Sequence, residues 1–335
     1  MLNRIFACFD GKANRKTLPE LFFELSSNQK MSWPEYLQSI TMLDHVMVRE
    51  ISCNGFNIKV QHNPGRIKST TADVGEKNIR KRSCFLCQDN LPEGQKAILY
   101  SNEYMILCNP APVFPYHFTI CHRDHKPQYI AENIDIFLHL MVDLGSKWTV
   151  LYNGPQCGAS APDHLHFQTI PSAYMPIETE IVKEEKYIHL KQVGDTSLLR
   201  ASDIGREVII LEGDNFTAIA ATFRKLLFFL KKFLCMKEEL IIEEPMINIA
   251  GFYKENKICI LIFPRAKHRP DVFFNEGDAR LMISPAVVEM GGVFVAPLEK
   301  DFHILNASTV ENILNEVSLD SKTLDRFFNS INFAF

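Results

Sequence analysis

In "GASAPDHLHFQTIP", residues 158–171, His164, His166 and Gln168 recur at every second position, with Leu165 and Phe167 between them. Alternate side chains of a strand share a face, so two imidazoles and an amide project together while the apolar pair faces a core. The preceding "NGPQCGASAPD" supplies Asn153, Gly154, Gly158 and Ser160. Glycine-freed backbone amides, a small hydroxyl and an asparagine suit the holding of phosphate oxygens. An imidazole beside such a cradle is neutral at physiological pH and can attack phosphorus without a separate base. The plainer alternative is a strand with two partly exposed histidines and no chemistry. One histidine would favour it; H-x-H-x-Q after a glycine-rich turn does not.

A second group is Cys84 and Cys87 in "RSCFLCQDN". A lone C-x-x-C can be redox-active or simply two core thiols. His125 in "CHRDH" and His164 could complete a tetrahedral Cys₂His₂ set, with His122 a competing ligand. The cysteine count of nine is odd, and Cys53, Cys108, Cys121, Cys235 and Cys259 sit singly inside apolar runs. That usage suits reduced thiols in a cytoplasm better than a disulfide framework.

A chain of 335 residues can build one large domain or two ordinary ones. Its 46% hydrophobic and 23% charged residues are ordinary for a soluble protein, and a net charge of −4 argues against non-specific nucleic-acid binding. The apolar run in "MLNRIFACFD" is too short for a secretory h-region. No apolar run approaches the roughly 18–20 residues that cross a bilayer. "LLFFLKKFLC", interrupted by Lys231 and Lys232, reads as an amphipathic helix. A cytoplasmic protein without a membrane partner is the expectation.

The first fifty residues read as helical: "LPELFFELSSNQ" has helical apolar spacing, and Ser32 before "WPEYLQSITMLDHV" is a plausible N-cap with Pro34 in the first turn. "REISCNGFNIKVQHNPGR" reads as a hairpin turning near Asn54 and Gly55. A basic, turn-rich loop follows, then the strands "AILYSNEYMILCNPAP" and "YHFTICHRDH", the helix "NIDIFLHLMVDLGSKW" and the strand-loop-strand that carries the histidines. A weak repeat aligns "EYMILCNPAPVFPYHFTICHRDHKP" with "EPMINIAGFYKENKICILIFPRAKHRP", which puts "SPAVVEMGGVFVAP" where "APDHLHFQTIP" stood. The fold then reads as duplicated, with histidines kept only in the first copy.

"HLHFQ" resembles the H-φ-H-φ-Q motif of the histidine-triad superfamily's transferase branch, which contains galactose-1-phosphate uridylyltransferases, diadenosine-tetraphosphate phosphorylases and GDP-hexose phosphorylases. "HLHFQ" and "SPAVVEMGGVFVAP" resemble the GDP-hexose (GDP-galactose or GDP-glucose) phosphorylases; "CFLC" with "NPAPVFPYHFTICHRDH" resembles the uridylyltransferase. The resemblance spans roughly residues 58–300. It implies an α+β, duplicated histidine-triad-like fold of two antiparallel sheets with flanking helices, plus a helical N-terminal extension. The implied divisions are the extension at 1–50, a first half at 51–180 carrying the motif and a zinc site, and a second, degenerate half at 181–335.

The resemblance also implies roles. His166 would attack the α-phosphorus, the His164 carbonyl would accept from its Nδ1–H and so present Nε2, and a phosphorylated acceptor would take the nucleotidyl group. Hydrolase members have a third histidine where Gln168 stands; Gln168 can donate to a phosphate oxygen but transfers no proton, which favours phosphate or a sugar phosphate over water as acceptor. Cys84, Cys87, His125 and His164 fall on the uridylyltransferase's structural zinc ligands. Arg66 resembles an N-P-x-R turn that contacts phosphate, and Asn109 an Asn-x-x-Pro turn lining a nucleoside pocket. Lys68, Arg80, Lys81 and Arg82 read as solvated, and His117, His139 and His303 as structural or surface. Arg265, Lys267 and His268 of "FPRAKHRP" are candidates for a second phosphate or the sugar.

The reading is therefore a nucleotidyltransferase acting on a nucleotide-sugar, GDP-hexose first, with phosphate or a sugar phosphate as acceptor. Uridylyl exchange and dinucleoside-polyphosphate phosphorolysis are alternatives within that chemistry. A non-catalytic nucleotide-sugar sensor and a nucleic-acid end-processing protein are rivals outside it. The relatives are often dimers, which allows a homodimer.

Overall fold

The computed structural model describes residues 4–11, 14–72, 74–79, 81–181, 186–201, 203–238 and 244–331. Short apolar runs form most of the strands. β1 (Ile5–Phe9), β2 (Met47–Ser52) and β3 (Asn57–His62) come first. β4 (Ala97–Tyr100), β5 (Tyr104–Cys108), β6 (Phe118–His122), β7 (Trp148–Asn153) and β8 (His166–Pro171) form one set. β9 (Tyr187–Val193), β10 (Thr196–Ala201), β11 (Val208–Gly213), β12 (Ile247–Lys254) and β13 (Lys257–Pro264) form another, and β14 (Val293–Ala296) ends the series. The longer helices are α1 (Leu18–Ser32), α2 (Pro34–Leu43), α3 (Ile134–Leu144), α4 (Phe216–Glu238), α5 (Ala307–Val317) and α6 (Ser321–Ile331).

The chain is α+β, with two sheets flanked by helices. The larger has eleven strands in the order β1-β4-β5-β6-β8-β7-β12-β13-β11-β10-β9; the smaller is β14-β3-β2. Around the antiparallel β7–β12 contact the large sheet is palindromic, with β4, β5, β6, α3, β7 and β8 repeated as β9, β10, β11, α4, β12 and β13. The duplication is thus present in the fold, but one hairpin out of step with the expected alignment. The counterpart of β8 in the second copy is the all-apolar "ICILIFP" of β13, and "GGVFVAP" lies in the small sheet, with β14 parallel to β3. Apolar hairpins of equal length look alike in sequence; only the helix between them marks the phase.

The N-terminal segment also departs from its helical reading. "IFACF" pairs in parallel with β4 and covers what would be the edge of the sheet. Ser32 ends α1, with its hydroxyl donating to the Asn28 carbonyl, and Trp33 is the N-cap of α2.

Period-2 alternation gives the large sheet two apolar faces. Val150, Tyr152, Leu165 and Phe167 pack with Phe22 of α1, Phe137 and Met141 of α3 and Phe223 of α4. On α3, Ile134, Phe137, Leu138, Met141 and Leu144 form a helical stripe against that face. Leu151, Leu261 and Phe263 point the other way, to Ile58, Val60 and Phe294 of the small sheet and Val310 and Leu314 of α5. Burying a Leu or Phe completely stabilises by about 1.5–3 kcal/mol. Leu165 and Phe167 therefore lock β8 in register, because a one-residue slip would drive His166 into the helix layer.

Candidate active site

That lock turns His164, His166 and Gln168 toward the small-sheet side. His166 is paired with Cys121 on β6, whereas the β7–β8 ladder stops at Leu151 and Gln168. Fully buried Gln128 replaces the missing rung. Its Oε1 accepts from the His166 backbone N–H at 2.7 Å, and its Nε2 donates to the carbonyls of His166 and Asn153, both at 2.9 Å. No motif marks Gln128 in the sequence, yet it holds the candidate nucleophile by both backbone groups.

The imidazole of His166 has one arrangement. Nδ1 lies 2.8 Å from the His164 carbonyl, which can only accept, so Nδ1 carries the proton and Nε2 has a lone pair. Burial pushes the ring down to about 4, against the hydrogen bond to His164, so it is neutral near pH 7. Buried, neutral and fixed in tautomer, the ring offers a lone pair at Nε2 and no acidic proton there. His164 behaves likewise: its Nε2–H donates to the His122 carbonyl at 2.7 Å, which leaves Nδ1 as a donor atom for a metal.

That Nδ1 faces Cys84 Sγ at 3.3 Å and Cys87 Sγ at 3.6 Å, and Cys87 Sγ is 3.2 Å from His125 Nδ1. The four ligand atoms lie within 4.8 Å of one another. Ligands at about 2.0–2.3 Å from a tetrahedral centre stand roughly 3.3–3.8 Å apart, so these atoms can hold a metal ion. Burial, then the neighbouring Cys84, pushes the Cys87 thiol up to about 11; a cation entering there must displace its proton. Asp163 braces the cluster, with one carboxylate oxygen 3.6 Å from His125 Nε2 and the other bonded to Arg82 at 3.0 Å. His122 stays out of the ligand set; its ring accepts from the Asp124 N–H, and it serves through its carbonyl.

Gln168 is held by a residue the sequence read as structural or surface. The Oε1 of Gln168 lies 3.0 Å from Nε2 of the buried His117. Asn109, also buried, accepts from the Ala111 N–H and donates to Thr119 Oγ1, so it closes the "NPAP" turn. His139 packs at a tilt against Phe216, and His303 sits exposed by Glu299.

The glycine turn closes on the second half of the chain. Gly158 has φ +91°, and a Cβ there would stand 2.5 Å from the Cβ of Ala286 in "SPAVVEMGG". Asn153 Oδ1 accepts from Asn248 Nδ2 and the Val287 N–H, so this carbonyl joins the two halves. A polar cleft between them is lined by Arg66, Gly158, Ser160, His268, Arg269 and Glu289. Arg66 donates to the Ala111 carbonyl at 2.7 Å. Burial pushes Glu289 up to about 7, opposed by the Ala286 N–H and by Arg66.

Arg265 does not reach the cleft. It is 2% exposed and spends its donors on Asn248 Oδ1 and the carbonyls of Val317, Pro285, Lys267 and His268. Its neighbour Arg269, which the sequence reading passed over, lines the cleft with its guanidinium stacked 4.3 Å over Phe273. Lys267 pairs with Asp271 and Glu316, Lys68 and Lys81 are exposed, and Arg80 lies outside the described residues.

Residues 25–171 match a family described as a domain of unknown function, DUF4922, and residues 207–332 match the GDPGP1-like, C-terminal domain family. The yeast Ap4A phosphorylase Apa2 in complex with AMP shares the fold at TM-score 0.56 and 14% identity, covering 91% of this chain and 98% of that one. The chain has the fold of that phosphorylase. Apa2 in complex with Ap4A aligns at TM-score 0.54 and 13% identity over 87% of this chain and 97% of that one. An ADP-glucose phosphorylase from Arabidopsis thaliana with bound ADP-glucose aligns at TM-score 0.38 and 11% identity over 82% and 100%, too distant to argue from. No curated protein matches the chain in sequence. At such identities the likeness shows the fold alone, and the chemistry must be argued from the chain's own site.

Proposed function

We propose that this chain is a nucleotidyl-transferring phosphorylase with Nε2 of His166 as its nucleophile. The observation that carries the reading is the fixed tautomer, Nδ1–H on the His164 carbonyl, in a ring kept neutral by burial. The Nε2 lone pair forms the N–P bond to the donor's α-phosphorus as the bond to the bridging oxygen breaks. The electron pair leaves with the sugar phosphate, a good leaving group that needs no acid. Positive charge then spreads over the nucleotidyl-imidazole, where Nδ1–H on a carbonyl dipole is favourable. An acceptor phosphate attacks the same phosphorus, the P–N bond breaks, and the lone pair returns to Nε2. With inorganic phosphate the products are a nucleoside diphosphate and a hexose 1-phosphate.

In this reading Gln168 donates to a non-bridging oxygen, while Arg66, Ser160 and the amides around Gly158 receive phosphate oxygens, with Asn109 and Asn153 shaping the pocket. Residues 51–180 form the chemical half, 181–335 the half that closes it, and 1–50 an extension. GDP-hexose is the favoured donor, from "HLHFQ" and "SPAVVEMGGVFVAP" together with the GDPGP1-like match at 207–332. A dinucleoside polyphosphate is the second reading, favoured by the fold shared with Apa2. Free thiols at all nine cysteines suit the cytoplasm.

Zinc is the ion that two thiolates and two imidazoles fit best. When bound it would supply a rigid anchor for the strand that carries His166, through Cys84, Cys87, His125 and His164. Metal analysis should find about one equivalent per chain, held until a chelator unfolds the site. Fully active metal-free protein would contradict the assignment.

Intact-protein mass spectrometry tests the chemistry. After brief incubation with UDP-, GDP- and ADP-sugars and diadenosine tetraphosphate, without acceptor, one donor should add its nucleoside monophosphate. The adduct should be absent in His166→Asn and be discharged by phosphate or a sugar phosphate. Donor binding without any adduct would instead mark a sensor.

A further inference from the structure

Gln168 can help the reaction only if its amide faces the right way. A glutamine side chain is nearly symmetric in shape, and a flip exchanges two N–H donors for an acceptor. An acceptor turned toward phosphate oxygens would repel them. Nothing in β8 chooses between the two orientations, so the choice must come from the residue across from it.

That residue is His117. The Val113 backbone N–H donates to His117 Nδ1 at 3.2 Å, and an N–H can only donate, so Nδ1 is unprotonated and the ring proton sits on Nε2. Nε2–H then meets Gln168 Oε1 at 3.0 Å. In the flipped amide, donor would face donor in a buried site. Asn109 cannot substitute: its Nδ2 is 3.5 Å from the same ring nitrogen, is itself a donor, and bonds Thr119 Oγ1 at 3.2 Å. His117 is 1% exposed, and burial, then the nearby Arg66, pushes it down to about 3, so the ring stays neutral with this tautomer over the working pH range.

We propose that His117 is a positioning residue: through the Val113 N–H it is locked as an Nε2–H donor, it occupies Gln168 Oε1, and it thereby turns the Gln168 amide N–H groups toward the transferring phosphate. The inference rests on the nucleotidyl-transfer reading, in that Gln168 is there taken to face a phosphate. It adds that the loop of residues 109–117, far from β8 in sequence, sets the polarity of the site.

Two substitutions separate positioning from mere structure, because each preserves half of the imidazole. His117→Asn keeps an acceptor near the Nδ1 place for the Val113 N–H but loses the donor to Gln168. His117→Gln can place an amide N–H near the Nε2 position but loses the acceptor. Positioning predicts crossed orders. His117→Asn is the more stable variant, yet its nucleotidylation rate falls about 10–100-fold with donor KM nearly unchanged, while His117→Gln stays within about fivefold of the parent. If both properties follow the same order, with Asn the better variant in each, His117 is structural only and the proposal is overturned.

A second measurement needs neither variants nor turnover. Ring ¹⁵N shifts of the unliganded parent protein should show His117 protonated at Nε2, with its proton shared to an oxygen. A His117 protonated at Nδ1 would overturn the proposal outright. Should no donor nucleotidylate the parent protein, the nucleotidyl-transfer reading fails, and the ring shifts alone decide whether His117 fixes the Gln168 amide.

Discussion

Replacing Gln128 with methionine keeps the volume and removes every polar atom of the side chain. Three bonds vanish: His166 N–H to Oε1 at 2.7 Å, and Nε2 to the carbonyls of His166 and Asn153 at 2.9 Å. The three backbone groups cannot pair with each other, because the β7–β8 ladder ends at Leu151 and Gln168. Gln128 is fully buried and His166 is 5% exposed, so water does not readily replace the amide. An unpaired buried backbone group costs about 1–3 kcal/mol, which puts the loss at roughly 3 kcal/mol or more. The Gln128 backbone carbonyl, which accepts from Tyr152 Oη, is untouched by the change. Urea unfolding measures the stability, and the single-turnover rate of nucleotidylation reports the placement of His166. A loss under about 1 kcal/mol with an unchanged rate would refute the idea that one side chain stands in for the missing rung.

Gly158→Ala should cost about 1–2 kcal/mol for its left-handed backbone alone, and more for the contact with Ala286, since its φ is +91° and the new Cβ would lie 2.5 Å from that of Ala286. Urea midpoints check it, and an unchanged midpoint would contradict the close approach. Arg265→Met removes the donor from two buried acceptors, Asn248 Oδ1 and the Pro285 carbonyl, while the Val317 carbonyl keeps the Ala266 N–H, so it should lower stability by roughly 2 kcal/mol or more while the folded variant binds donor as before; a selective loss of donor affinity would return Arg265 to the phosphate site. Burial pushes His268 and His117 from the ordinary 6.5 to about 4 and about 3. The unfolded chain binds protons that these rings refuse, so their contribution is intact above about pH 6.5 and erodes as pH falls toward about 4. A urea midpoint that holds constant between about pH 7 and pH 5 would contradict that sign.

The alternation of "HLHFQ" was legible because a strand's period of two is local, and "CFLC" because both thiols lie on one turn. The structure brings Cys84, Cys87, His125 and His164 together, the set that the resemblance implied. Roles set by distant partners were not legible. Arg265 looks the same in sequence whether it meets phosphate or the carbonyls of Val317 and Pro285. Asn153 and Gly158 stood beside the histidines and read as a phosphate cradle, yet both also join the halves of the chain, at Asn248 and Ala286. Gln128 meets β8 through two bonds to the His166 backbone and His117 through one to Gln168, and neither leaves a periodic signal. The misphased repeat and the unexpected β1 share a cause, since which strands become neighbours is decided by pairing across the sheet.

The measurement that tests the central claim most directly is the linkage in the trapped intermediate. NMR of ¹⁵N-histidine-labelled protein, nucleotidylated without acceptor, would show which ring nitrogen is coupled to phosphorus. The account predicts Nε2 of His166, with Nδ1 still protonated against the His164 carbonyl. Phosphorus on Nδ1, or on any other residue, would contradict it.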